Sequence, residues 1–170
     1  CIEQILDKYK NTSYEVIVRP HPQQVRHQME RFVEMQERYA KDDNITIQTD
    51  FSSNSTVMDA DLLITDWSDI SFEYAFTTLK PVLFIDTPMK IMNPEYDKIE
   101  QKPINVTLRN VIGKAISVND IDNILEISTD MLKQKDMYRK QIADAREKHI
   151  FNIGKSRILS GKYIMKRLME

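Results

Sequence analysis

The apolar positions of this chain fall into short unbroken runs, separated by stretches in which they recur at helical spacing. Leu62-Leu63-Ile64 and Val82-Leu83-Phe84-Ile85 contain no polar alternation, the mark of strands buried on both faces. Between them Ile70, Phe72, Glu73, Tyr74, Ala75 and Phe76 form a helix, and Pro81 ends the connection to the second strand. Thr65-Asp66-Trp67-Ser68-Asp69 separates the first strand from that helix. Ser68 is expected as the N-cap, its hydroxyl accepting from first-turn N–H groups. Strand, helix and strand predict a right-handed, parallel βαβ unit. Thr65 to Asp69 and Asp86 then lie at carboxyl ends of strands, where open α/β sheets hold ligands.

The same reading extends to the rest of the chain. Ile2, Ile5, Leu6 and Tyr9 predict an amphipathic helix over residues 1–10, and Tyr14 to Val18 predicts a strand that stops at Arg19-Pro20-His21-Pro22. The two prolines cannot continue a sheet and fix a polar loop at the strand's carboxyl end. A long helix is expected over Gln24 to Ala40, with Val25, Met29, Phe32, Val33 and Met35/Gln36 inside. Ile45 to Thr49 alternates and predicts a peripheral strand ending at Asp50. Ser52 to Thr56 is either a loop or a capped helix start into Val57-Met58. Thr87 to Arg109, with Pro88, Pro94 and Pro103, is a long irregular connection of the kind that forms lids and binding loops. Ala115 to Val118 is the last strand. Asp120 is expected to cap a helix holding Ile121, Ile124, Leu125 and Ile127. A polar helix over Lys133 to Lys148, a turn at Asn152 to Ser156 and a helix over Arg157 to Met169 complete the chain. Helices alternating with strands in this way imply an α/β fold, a Rossmann-like open parallel sheet with helices on both faces.

With 170 residues, 41% of them hydrophobic and 29% charged, the chain is expected to form one globular domain over 1–170 rather than a disordered tail. The single cysteine, Cys1, leaves no internal disulfide, which fits a reducing compartment. No run of about 18 apolar residues occurs. The chain begins with Cys and enters a helical pattern at once, so it is expected to be a piece of a longer protein. The net charge of −2 is unevenly spread: residues 133–170 hold 11 Lys/Arg against 4 Asp/Glu, leaving −9 for the remainder. The basic C-terminal helices suit either anionic headgroups or a polyanionic substrate, or are a solvated surface.

Four strand ends carry polar side chains: Arg19/His21, Asp50/Ser52/Ser53, Thr65/Asp66/Ser68/Asp69, and Asp86. Parallel strands would open all four onto one edge. Arg19 offers a bidentate fork, and the helix start at Ser68 offers free N–H groups and a positive dipole end; together they suit a phosphate-bearing ligand. His21 is either a general acid or base, a donor to phosphate, or a loop residue held by its prolines. Asp69 competes with an anion and suits ligand hydroxyls instead. Glu73, at i+4 from Asp69, either binds the vicinal hydroxyls of a ribose or faces solvent. Trp67 either stacks on a base or packs inside. The three glycines form neither a dinucleotide fingerprint nor a P-loop, no Cys/His spacing suggests a metal, and no basic–aromatic interleaving suggests nucleic acid. No cofactor is expected.

Arg19-Pro20-His21-Pro22 after a strand, Ala60 to Ser68, Phe72-Glu73-Tyr74-Ala75, Pro81 to Phe84 and Asn152 to Ser156 together resemble the CDP-glycerol glycerophosphotransferase family, the teichoic-acid and capsule polymerases of bacteria. The resemblance spans about Tyr14 to Ile164, and its middle motif is the most specific. It implies the C-terminal, donor-binding lobe of a GT-B transferase. In that family a CDP-linked polyol such as CDP-glycerol gives its glycerol phosphate to a lipid-linked or polymer hydroxyl. The enzymes are cytoplasmic and peripheral on the inner face of the membrane, and a second histidine lies in an N-terminal lobe. Carried over, His21 matches the family's functional histidine and is the expected catalytic residue. Arg19, Thr65, Asp66, Ser68 and Asp69 are the expected donor and phosphate ligands, and Glu73 the expected ribose ligand. Trp67 replaces a tyrosine and Asp69 a second serine of the family's Thr-Asp-Tyr-Ser-Ser run, which puts the donor in question. A GT-B transferase using UDP or another nucleotide sugar, and a flavodoxin-like binding domain without catalysis, are the alternatives.

Overall fold

The computed structural model describes residues 1–89 and 93–170. In order, the elements are α1 (Ile2–Tyr9), β1 (Val16–Val18), α2 (Pro22–His27), α3 (Met29–Arg38), β2 (Ile45–Ile47), α4 (Ser55–Asp59), β3 (Leu63–Thr65), α5 (Ile70–Thr78) and β4 (Val82–Asp86). Then come α6 (Ile104–Thr107), α7 (Arg109–Ile112), β5 (Gly113–Ser117), α8 (Ile124–Lys133), α9 (Lys135–His149) and α10 (Ser156–Met169). The fold is α/β and Rossmann-like, with short parallel sheets flanked by helices.

The βαβ unit forms as the pattern predicts. β3 pairs parallel with β4, Leu63 opposite Val82 and Thr65 opposite Phe84, and β4 pairs parallel with β5. Val82, Leu83, Phe84 and Ile85 are fully enclosed, because β4 is the central strand. β3 is an edge strand of that sheet and only half-buried, which corrects the expectation of burial on both faces. The close approach of β5 to β4 requires Gly113: a Cβ there would collide with the carbonyl oxygen of Val82.

The parallel strands fall into two short sheets. β1 and β2 form their own parallel pair, Val16 opposite Ile45 and Val18 opposite Ile47, with no strand hydrogen bonds to β3, β4 or β5 among the described residues. Side chains bridge the two sheets instead. Ile5 and Tyr9 of α1 pack on the core of β3–β5, while Leu6 and Ile2 pack on the core of β1–β2, and Val16 touches both. A helix can serve two cores in this way because positions three and four apart share a face.

The helix expected over Gln24 to Ala40 is two. Gln28 leaves the helical region (φ −138°, ψ 39°), although its N–H still reaches the Gln24 carbonyl. The break turns α3 so that Phe32 and Met35 are buried, with Tyr39 just beyond its end, while Met29 and Val33 face out. Asp120 does not cap a helix. Ser117 accepts from the Asn119 N–H and opens a 3₁₀ segment, Val118–Asn123, that precedes α8. The alternative of a helix start near Val57 is realised as α4. Of the long connection after β4, residues 90–92, and with them any lid they form, lie outside the described residues; the rest supplies a 3₁₀ turn (Tyr96–Lys98), α6 and α7. α9 packs against α5 and α7, and α1 against α8. α10 is exposed along its whole length, including Ile158, Tyr163, Ile164, Met165 and Leu168. Among the described residues no helix is long and apolar enough to cross a membrane.

Candidate functional site

β3 ends at Thr65, half-buried, and the turn that follows lifts Asp66, Ser68 and Asp69 into solvent. Ser68 is not the N-cap of α5. Asp69 holds that position with helical angles (φ −67°, ψ −17°) and makes no side-chain cap bond. The cap stands one residue later than expected, and the Ser68 carbonyl, not its hydroxyl, is engaged, accepting from the Ser71 N–H at 3.2 Å and the Ser71 Oγ at 2.8 Å. The Ser68 hydroxyl has no protein partner among the described residues. The first turn of α5 therefore lacks a side-chain acceptor for its N–H groups, which leaves a partial positive charge at the carboxyl end of β3.

Behind the turn stands a residue the sequence did not single out. Arg109, at the start of α7, is only 6% exposed. Its Nη1 donates to Asp86 Oδ1 at 2.9 Å, and its guanidinium carbon lies 3.7 Å from the Trp67 ring centroid and 4.7 Å from that of Phe84. Nε and Nη2 are buried without a partner among the described residues. Trp67 Nε1 donates to the Thr87 carbonyl at 2.7 Å, so Trp67 packs inward rather than standing free for a base. Asn105 Nδ2 approaches Asp69 Oδ1 at 3.5 Å. The connection after β4 thus folds back over the turn after β3. Asp66, Trp67, Ser68, Asn105 and Arg109 line one shallow pocket with Ser71, Phe72 and Phe84. Only Asp86, an unexplained acid at a strand end, hinted that a buried cation would stand opposite it.

Arg19 and His21 sit at the end of β1. His21 caps α2: its Nδ1 accepts from the Gln23 N–H at 3.2 Å, with Pro22 at the first helical position. A neutral imidazole that accepts at Nδ1 carries its proton on Nε2, and the exposed ring presents that proton to solvent. Arg19 lies over the Phe51 ring at 5.6 Å, and its Nη1 is buried without a partner among the described residues. Asp50 accepts from the Ser52 N–H at 2.9 Å and from Ser52 Oγ at 2.8 Å. Those bonds, with the nearby Arg19 charge, hold its carboxyl below the usual range.

The structure therefore makes two groups of the expected site residues. Thr65, Asp66, Ser68 and Asp69 stand together beside Arg109 and Asp86, while Arg19 stands with Asp50 and Phe51, and His21 follows it at the start of α2. Among the described residues no hydrogen bond or ion pair joins the two groups. Glu73 is exposed on α5, one turn into the helix and without a hydrogen-bond or ion-pair partner there. No cluster of three His, Cys, Asp or Glu side chains that could hold a metal ion occurs among the described residues.

No curated protein and no solved structure matches the chain. A family model does, over residues 2–154, which takes in both groups of site residues and all five strands. The chain thus belongs to the CDP-Glycerol:Poly(glycerophosphate) glycerophosphotransferase family.

Proposed function

We propose that this chain is the donor-binding lobe of a glycerophosphotransferase, taking CDP-glycerol or a related CDP-polyol and serving a cell-wall or capsule polymer. The observation that carries the reading is the parallel pair β3–β4 with the uncapped start of α5 at its carboxyl end, inside the span matched by the family. A helix start in that position is suited to a diphosphate. The unpartnered Nη1 of Arg19 and the free hydroxyl of Ser68 support the same ligand, since buried guanidinium nitrogens require an acceptor.

In this reading an acceptor hydroxyl oxygen attacks the glycerol-bearing phosphorus of the donor. The new P–O bond forms as the bond to the bridging oxygen breaks, cytidine monophosphate leaves, and the hydroxyl proton passes to a base. Arg19 and the α5 start hold the diphosphate, with Thr65, Asp66 and Asp69 lining it. His21 donates from Nε2 to the charge that grows on the leaving phosphate, because its Nδ1 is engaged as a helix cap. Glu73 holds the ribose. The acceptor, lipid-linked or polymeric, meets the donor with the help of an N-terminal lobe, on the cytoplasmic face of a bacterial membrane. Lys155, at the N-cap of the exposed α10, and Arg157 and Lys162 on it lie beyond the matched span and make peripheral contact with that membrane. The isolated lobe has little activity. The carboxylate of Asp69 suits a second donor class as well, a nucleotide sugar such as a UDP-sugar, since a sugar ring offers it more hydroxyls to accept from than a glycerol does.

Calorimetric titration of the full-length protein with CDP-glycerol, CDP, UDP and ADP tests the proposal. Binding of the cytidine ligands alone is the expected result. Preference for UDP moves the donor to a nucleotide sugar, and no nucleotide binding at all overturns the donor-lobe reading.

A further inference from the structure

Of the three nitrogens of Arg109, one is engaged and two are not. Nη1 points to Asp86, whereas Nε and Nη2 are enclosed with no acceptor among the described residues. The two free nitrogens are not a random pair. Nη1 is the nitrogen on the Cδ side, so Nε–H and Nη2–H lie on one edge and form the side-on fork that matches two oxygens of one oxyanion. Two aromatic rings pack close to the guanidinium, Trp67 at 3.7 Å and Phe84 at 4.7 Å from its central carbon, and Asp86 engages Nη1. The side chain is thus fixed in plane and direction with its fork unused. Burying charged donors without an acceptor is costly, and each such group in a native fold calls for an explanation, a bound ion being one.

We propose that Arg109 is a further binding residue of this site, whose Nε/Nη2 fork takes a phosphoryl group seated against the start of α5. The inference rests on the donor-lobe reading and adds to it a residue from the far end of the connection after β4. Three features select phosphoryl. The fork needs paired oxygen acceptors; the uncapped first turn of α5 offers positive potential beside it; and Ser68, lining the same pocket, has a free hydroxyl. Asp66, which lines the pocket, and Asp69 stand exposed in water, where their charges are screened, whereas the fork is buried, where its charge is not. Asn105 lines the same pocket and is held to Asp69 only by a 3.5 Å contact.

The test is titration of the full-length protein with pyrophosphate, cytidine and CDP, followed by calorimetry and by the Nε–H NMR signal of Arg109, and repeated on Arg109→Lys. Pyrophosphate and CDP are expected to move the signal, and cytidine to leave it in place. Lysine keeps the charge and loses the fork, so pyrophosphate and CDP affinities should fall about tenfold or more, with cytidine affinity unchanged. If Arg109→Lys does not fold, the wild-type signal decides alone. CDP that binds without moving the signal overturns this assignment and leaves the donor reading intact. Pyrophosphate that moves the signal in a protein that ignores CDP supports the fork and removes the donor reading. Binding of neither overturns both.

Discussion

The guanidinium of Arg109 sits over Trp67 with its central carbon 3.7 Å from the ring centroid, and Trp67 in turn donates to the Thr87 carbonyl at 2.7 Å. This stack ties the turn after β3 to both ends of the connection that follows β4. It also sets an order of consequences. Asp86, whose side chain is 52% exposed, tolerates losing its partner, whereas Arg109 does not. Asp86→Ala should therefore destabilise by about 3 kcal/mol, the cost of stranding a buried charge. Arg109→Met, which fills the same slot without a charge, should cost less. Urea unfolding of the two variants decides, and equal or reversed losses would mean that the pair is not the main support of the stack.

His21 is both a helix cap and the proposed acid, and one substitution separates the roles. Asparagine retains an acceptor for the Gln23 N–H but has no ring proton to give. His21→Asn should keep the melting temperature of the native protein and lower transfer by about a hundredfold or more. Arg19→Ala should also cut transfer without unfolding the chain. Normal turnover in both variants would remove these residues from the mechanism.

Gly113 is required by contact rather than by backbone angle. The Val82 carbonyl belongs to the central strand and cannot swing aside like a flexible side chain, so Gly113→Ala forces β5 away from β4. The expected loss is about 3 kcal/mol, the upper end for overpacking. A melting temperature within a degree or two of the native protein would show that the sheet yields more easily than this.

Tyr39 makes stability depend on alkaline pH. Burial first, and then the Asp7 carboxylate that its hydroxyl meets at 3.2 Å, push its pKa up to about 12. An unfolded tyrosine titrates near about 10. The folded state therefore binds the proton more tightly, and the contribution is complete below about pH 10 and lost as pH rises through about 12. Unfolding midpoints measured across that window should fall, and Tyr39→Phe should fall less steeply.

The exposed basic residues of α10 give the membrane proposal a direct check. Charge reversal at Lys155, Arg157 and Lys162 should weaken binding to anionic vesicles, by about 1 kcal/mol for each residue near the surface. Binding that ignores the reversal would leave α10 without a membrane role.

The βαβ unit was legible in the sequence because its signals are local. An unbroken apolar run in a central strand, a helix of apolar period and a proline before the next strand depend on no other part of the chain. The positions of Arg19, His21 and the 65–69 turn at strand ends followed for the same reason. The helix cap was misread by one residue, since Ser68 and Asp69 are equally good cap residues and only the folded backbone places the helix start after Asp69. The break at Gln28 carries no proline or glycine, so nothing local announced it. The split between β1–β2 and β3–β5 was decided by side-chain packing of α1 and Val16 between the two sheets, which a pattern of strands does not encode. Arg109 was the most hidden. In sequence it is an ordinary cation at the start of a short helix. Its burial, its free fork and its place in the site arise only when Trp67, Phe84 and Asp86, from one turn and one strand far from it in sequence, close around it.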